Sequence, residues 1–385
     1  MELSASNLQS LRKHFAVRQD DILALTRALI ENESPSGDYA GSVSVVALLS
    51  RALQSIPGAR VEVFPVADFG QHLCVTIAGP TDAKPIMLLG HTDTVHPRGS
   101  IDERPWRPEG NRIHGPGIFD MKANCALAVE VLATCVKHQV HSRHSLMMLL
   151  TCDEETGSPT GRALVEQYAR NAQVVLVIEP PAAGGLIKTG RKGTGMFSIA
   201  AHGIAAHAGL EPEKGASAIL ELARQTEYLH SLNGKWDGTT VNVGVFHGGT
   251  LSNVVAAEAR AEVDVRFTSA TGAAKVEQAI QAIRPLDQRV ELTISGGINR
   301  PPLERTDAVL NLYQKARQVA ELIGLELKET QVGGASDGNF VSALGVPVLD
   351  GLGIDGDGAH ALHEHIIPDD IPGRGALLTG LIAAV

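Results

Sequence analysis

Short apolar runs of β-strand character, at residues 85–89, 145–151 and 174–178, alternate with stretches of helical periodicity at 124–137 and 160–170. Strands that follow one another through a helix pair in parallel and need helices on both faces to bury them. The expected class is therefore α/β, a mostly parallel sheet with helices on both faces. Gly/Pro clusters at 179–185 and 296–302 bracket a stretch of different texture, with strands expected at 196–201, 240–246, 256–267 and 289–295 and helices at 215–232 and 274–283. Two helices and four strands fit a small α+β sandwich inserted in the larger domain. A helix at 306–324, a strand before Gly333 and a last helix from Pro372 return to the α/β texture. The expected layout is a first catalytic segment at 1–190, an inserted lid at 191–301 and a second catalytic segment at 302–385.

Composition narrows the function classes. The 385 residues carry 33 basic and 43 acidic side chains, a net charge of −10, which offers no footprint for nucleic acid or an anionic membrane. No stretch approaches the ~18 uninterrupted apolar residues of a membrane span, and the first residues contain no secretory apolar core, so a cytoplasmic protein is expected. The four cysteines, Cys74, Cys125, Cys135 and Cys152, form no CxxC pair and are too sparse for a disulfide framework or a structural zinc site.

Polar groups cluster where the expected strands end. PIMLLGHTDTVHP places His91 and Asp93 two apart on extended chain, so both point the same way. GPGIFDMK ends a tight turn in Asp120 before a helix, where an N-cap is the plainer role. TCDEETGS sets Asp153, Glu154 and Glu155 side by side, which repel one another unless a cation or proton compensates. VVLVIEPP puts Glu179 at the tip of a buried strand, and GDGAHALHEH supplies His360, His363 and His365. The ends of parallel strands are where open α/β sheets bind ligands. Histidines and carboxylates without cysteine form an N/O donor set suited to zinc, cobalt or manganese, and a carboxylate beyond those needed as ligands is free to act as general base.

A competing pattern is Gly334-Ala335-Ser336-Asp337-Gly338, which matches G-x-S-x-G with acids and His360 following in hydrolase order. His360 comes only 24 residues after Ser336, and a serine hydrolase leaves the four acidic clusters unexplained. A non-catalytic binding protein on the same fold is a third reading, against which the full set of ligand types and the base candidate Glu154 argue.

With these motifs in order, together with GIAAHAG, the SNVV and DVRF pair and GAHALHE, the chain resembles a zinc-dependent exopeptidase and amidohydrolase family from about Asp21 onward. That family contains glutamate carboxypeptidase, acetylornithine deacetylase, succinyl-diaminopimelate desuccinylase and aminoacylase. The resemblance implies two divalent metal ions, zinc with cobalt and manganese as alternatives. One is held by His91 and Glu179, the other by Glu155 and His360, with Asp120 bridging. It implies Glu154 as general base, Asp93 orienting His91, and a cis peptide at Asp120–Met121. The inserted domain becomes a lid through which a homodimer forms, with His207 reaching the neighbouring subunit's site beside Asn253. Arg266 and Arg300 become candidates for a substrate carboxylate, with Gly334 offering a backbone N–H; as an alternative, Arg266 pairs with Asp264 or Glu262 on the lid. Ala123 and Asn124 stand where the family has glycines, and His363 competes with His360 as ligand, although a spacing of four to Glu364 favours His360. Arg300-Pro301 after the glycines is most similar to the glutamate carboxypeptidase branch. That implies release of a C-terminal amino acid from a small peptide or N-acyl-amino acid, with an N-acyl-amino-acid deacylase as the alternative.

Overall fold

The apolar runs assemble into a six-stranded sheet in the spatial order Ala59–Val66, Gly70–Ile77, His144–Thr151, Ala83–His91, Val174–Val177, Val348–Leu349. The last four strands pair in parallel, while the first two form a hairpin that joins His144–Thr151 antiparallel. Val174–Val177 is buried at every residue, as a strand covered on both faces requires. Helices Ala5–Glu31, Ala123–Lys137, Asp307–Leu322 and Ile371–Ala384 pack on one another, and Tyr39–Gln54 covers the hairpin.

The computed structural model describes residues 3–140 and 143–385, and the chain divides into two units. The first comprises Met1–Gly190, Arg305–Val332 and Ser336–Val385; the second is Arg191–Glu304 with Gly333–Ala335. The second unit is a four-stranded antiparallel sheet in the order Thr240–Gly248, Glu258–Phe267, Gly193–His202, Glu291–Arg300. Strand residues alternate in burial along Glu258–Phe267, and Ile199, Val263, Val265 and Phe267 meet Leu222, Val276 and Ile280 of the two helices in one core. No helix among the described residues is long and apolar enough to cross a membrane.

Where element ends differ from the sequence reading, capping decides them. The helix expected at 215–232 is Ala218–His230, because the Ser217 hydroxyl accepts the Leu220 N–H at 3.1 Å. The helix expected at 274–283 begins earlier, at Ala270, where Ser269 accepts the Gly272 N–H at 3.1 Å. The helices Ala5–Glu31 and Tyr39–Gln54 and the hairpin before residue 83 were not assigned from sequence. In Ala5–Glu31 the buried Leu8, Leu11, Phe15, Ile22 and Leu29 are diluted by many polar residues, so its mean apolar signal is weak.

The sheet order prepares the site. His91 closes its strand and pairs with Thr151, and Ile178 donates to the Leu89 carbonyl at 2.9 Å. The segments leading to Glu154, Glu155 and Glu179 therefore leave the same edge as His91.

Candidate metal centre

Two groups of side chains meet at this edge, all within the first unit. His91, Asp120 and Glu179 form one; Asp120, Glu155 and His360 form the other. His91 Nε2 lies 3.1 Å from Asp120 Oδ1 and 3.3 Å from Glu179 Oε1. His360 Nε2 lies 3.5 Å from Asp120 Oδ2 and 3.1 Å from Glu155 Oε2. Asp120 thus turns one oxygen to each group. It sits in the turn Ile118–Lys122, next to a cis Asp120–Met121 peptide bond.

Asp93 organises the other face of the site. His91 Nδ1 donates to the Asp93 carbonyl at 2.9 Å and lies 3.4 Å from its Oδ1, which leaves Nε2 for the ligand position. The same carboxylate accepts the N–H groups of Glu154 at 3.2 Å and Glu155 at 3.1 Å and the Ser36 hydroxyl at 2.6 Å. One buried aspartate therefore orients an imidazole and pins the turn that carries the two glutamates.

The electrostatics match a cation site. Burial raises the Asp120 carboxyl, but hydrogen bonds from His360 and His91 outweigh it and hold the group well below the carboxylate range. Burial lowers the His91 imidazole, yet Asp120, Asp93 and Glu179 together raise it well above its ordinary value. Burial pushes Glu155 up to about 7, while hydrogen bonds to Asp120 and Glu155 push His360 up to about 10. Glu155 Oε1 is buried with no hydrogen-bond partner, the kind of orphaned acceptor a cation satisfies. Two imidazoles and three carboxylates, with no thiolate among them, suit divalent zinc, cobalt or manganese.

The structure separates the remaining candidates. Exposed His363 belongs to neither group, its Nε2 lying 3.9 Å from Asp357 Oδ2. Ser336 is fully buried; its hydroxyl donates to Asp350 at 2.7 Å and accepts the Gly338 N–H at 3.1 Å, so the serine-hydrolase alternative lacks an accessible nucleophile paired with a base.

Within the second unit, His207 and Asn253 lie side by side, the Ala208 N–H donating to the Asn253 carbonyl at 3.0 Å. Exposed His207 accepts the N–H groups of Gly209 and Leu210 at Nδ1, both at 3.2 Å, which makes Nε2 the protonated nitrogen. Arg266 forks onto Asp264, two residues earlier on the same strand, at 2.8 and 2.9 Å. Arg300 is buried at its strand end. Exposed Gly334 is held by buried Arg191, whose Nη1 donates to the Gly334 carbonyl at 3.4 Å and the Ala335 carbonyl at 3.1 Å.

Side chains outside the candidate ligand and substrate set also support the site. Asn124 donates from Nδ2 to the Phe119 carbonyl at 3.3 Å and accepts the Ile354 N–H at 2.8 Å, tying the Asp120 turn to the segment before His360. Ser36 and Arg191 carry no motif at all.

An α/β domain with two histidine–carboxylate groups sharing one aspartate at the ends of its parallel strands defines a metallopeptidase or metal-dependent amidohydrolase. The chain belongs to peptidase family M20/M25/M40, whose model matches residues 87–384. It is 27% identical over 374 residues to carboxypeptidase G2 of Pseudomonas sp. strain RS-16, covering 92% of this chain and 87% of that protein. It is 28% identical over 375 residues to succinyl-diaminopimelate desuccinylase of Delftia acidovorans, covering 91% and 94%. Among solved structures, Bacillus subtilis YXEP protein, described as a dinuclear metal binding peptidase from the M20 family, superposes with a TM-score of 0.70 at 15% identity over 96% of this chain and 98% of that one.

Proposed function

We propose that this enzyme hydrolyses an amide bond with two divalent ions, zinc in the first instance, and releases a C-terminal amino acid from a small peptide or an N-acyl-amino acid. The observation that carries the reading is the division of Asp120 between two ligand groups, Oδ1 toward His91 and Glu179 and Oδ2 toward Glu155 and His360. When bound, the ions supply Lewis acidity toward water and the scissile carbonyl. Glu154, buried on the turn held by Asp93, takes a proton from the attacking water and returns it to the leaving nitrogen as the C–N bond breaks. His207 donates its Nε2 proton to the developing oxyanion, with Asn253 beside it. Arg300 grips the substrate carboxylate, assisted by the Gly334 N–H, in preference to Arg266, whose fork Asp264 occupies.

A homodimer through the second unit is part of the proposal. The edge strand Thr240–Gly248 exposes Val245 and Phe246, and Ile219, Leu220 and Tyr228 are exposed on the helix Ala218–His230. A cytoplasmic setting is also proposed, supported by four cysteines that remain buried thiols.

The test is a panel of dipeptides and N-acyl-amino acids assayed before chelation, after it, and with zinc, cobalt or manganese restored. Activity lost and regained with metal is expected, with free-carboxylate substrates preferred over their amides. Activity that survives complete chelation would overturn the proposal. A preference for the acyl group over the released amino acid would move the enzyme to the deacylase side.

A further inference from the structure

Glu364 lies four residues beyond His360 and is almost fully buried. Its Oε1 accepts the N–H groups of Phe119 and Asp120, both at 2.9 Å. Its Oε2 accepts the Gly117 N–H at 2.8 Å and meets His96 Nε2 at 2.5 Å. The His96 proton can be placed, because Arg104 Nη2, which can only donate, faces His96 Nδ1 at 3.2 Å. Nδ1 is therefore the acceptor and Nε2 carries the hydrogen toward Glu364. All four neighbours donate, and a carboxylate is the side chain that accepts at both oxygens.

From this arrangement we infer that Glu364, steadied by His96 and Arg104, is the positioning residue that sets Asp120 against His360. The inference rests on the dinuclear reading above. At one end the side chain holds the peptide that enters Asp120. At the other, the Glu364 N–H donates to the Ala361 carbonyl at 3.3 Å and the Ala361 N–H to the Gly358 carbonyl at 2.8 Å, closing the short turn that carries His360. One carboxylate thus joins the two backbone segments that face each other across the second ligand group, where His360 Nε2 and Asp120 Oδ2 are 3.5 Å apart. His360 sits in the loop 358–364 between the short paired strands Gly356–Asp357 and His365–Ile366, and itself takes a left-handed backbone at φ 64°.

Glu364→Gln keeps the shape but presents an N–H₂ group to two of the four donors. His96 cannot answer by changing tautomer, since Arg104 already donates to Nδ1. The experiment titrates Co²⁺ into chelator-stripped wild-type and E364Q protein. It follows heat and the visible cobalt spectrum, with near-ultraviolet circular dichroism of the metal-free proteins as the folding control. Expected for E364Q are native dichroism, a ~10–100-fold loss of affinity for one of the two ions, an altered cobalt spectrum, and a fall in kcat with KM unmoved. If E364Q loses native dichroism, His96→Ala and His96→Gln decide. H96A is expected to weaken one ion by about tenfold, and H96Q, whose amide can still donate to Oε2, to restore it. E364Q that binds both ions with wild-type affinity and spectrum, or an H96A equal to wild type where E364Q does not fold, overturns the inference. A wild-type protein that fails to bind two ions overturns the dinuclear reading instead.

Discussion

Asp93→Asn tests whether one carboxylate holds both His91 and the turn of Glu154 and Glu155. All of its side-chain neighbours offer hydrogens: His91 Nδ1, the N–H groups of Glu154 and Glu155, and the Ser36 hydroxyl. The least costly amide orientation turns Nδ2 toward Ser36, whose hydroxyl can rotate to accept, and leaves the Glu155 N–H without an acceptor. An orphaned donor costs about 1–3 kcal/mol, and losing a charge-assisted partner of His91 costs a similar amount. A total of about 3 kcal/mol, set against an unfolding entropy of roughly 2.1 cal/mol/K per residue, lowers the Tm of the metal-free 385-residue protein by about 4 °C. The wild-type contribution also depends on pH. Burial raises the Asp93 carboxyl, but its bonds to His91, Ser36 and Glu155 hold it below the ordinary carboxylate value. That stability is complete above the unfolded value and is lost as pH falls through the folded one. The gap in Tm between D93N and wild type should therefore be full at neutral pH and close in acid. Calorimetric melts of both metal-free proteins from neutral to acidic pH measure it. Equal Tm values at neutral pH would refute the argument.

Glu154→Gln is expected to keep both ions by calorimetric titration while kcat falls by ~10²–10⁴; wild-type turnover would remove Glu154 from its role. Metal loading is expected to release protons, because His360, raised to about 10, is protonated near neutrality and a ligand imidazole must be neutral. Affinity should weaken as pH falls, and titration heats should depend on the ionisation enthalpy of the buffer; heats independent of buffer would contradict the ligand set. Arg300→Ala is expected to raise KM for free-carboxylate substrates and leave their amides unaffected, whereas Arg266→Ala, losing a surface pair worth ~0–1 kcal/mol, should change neither. The reverse pattern would return the carboxylate to Arg266.

Local pattern carried the reading furthest where burial leaves a periodic trace. The apolar residues at 85–89, 145–151 and 174–178 mark strands because a parallel sheet buried on both faces needs continuous hydrophobic runs. The polar groups that break those runs, His91, Asp153 to Glu155 and Glu179, mark strand ends for the same reason. The resemblance to a family then supplied the ligand roles of Asp120 and His360, which lie on segments without periodicity. The amphipathic helix Ala5–Glu31 was missed because its buried residues are few for its length.

What the sequence determined by itself is the class of fold and the inventory of donors, since side-chain direction along a strand and the chemistry of a residue are local properties. Tertiary structure decided which donors meet. It chose His360 over His363, closed Arg266 onto Asp264, and gave the Ser336 hydroxyl to Asp350. It also carried Glu364 to the amides of Gly117, Phe119 and Asp120, some 245 residues earlier in the chain. Contacts of that span follow from the order in which strands enter the sheet and from the turns that leave its edge, and no local run of residues records either.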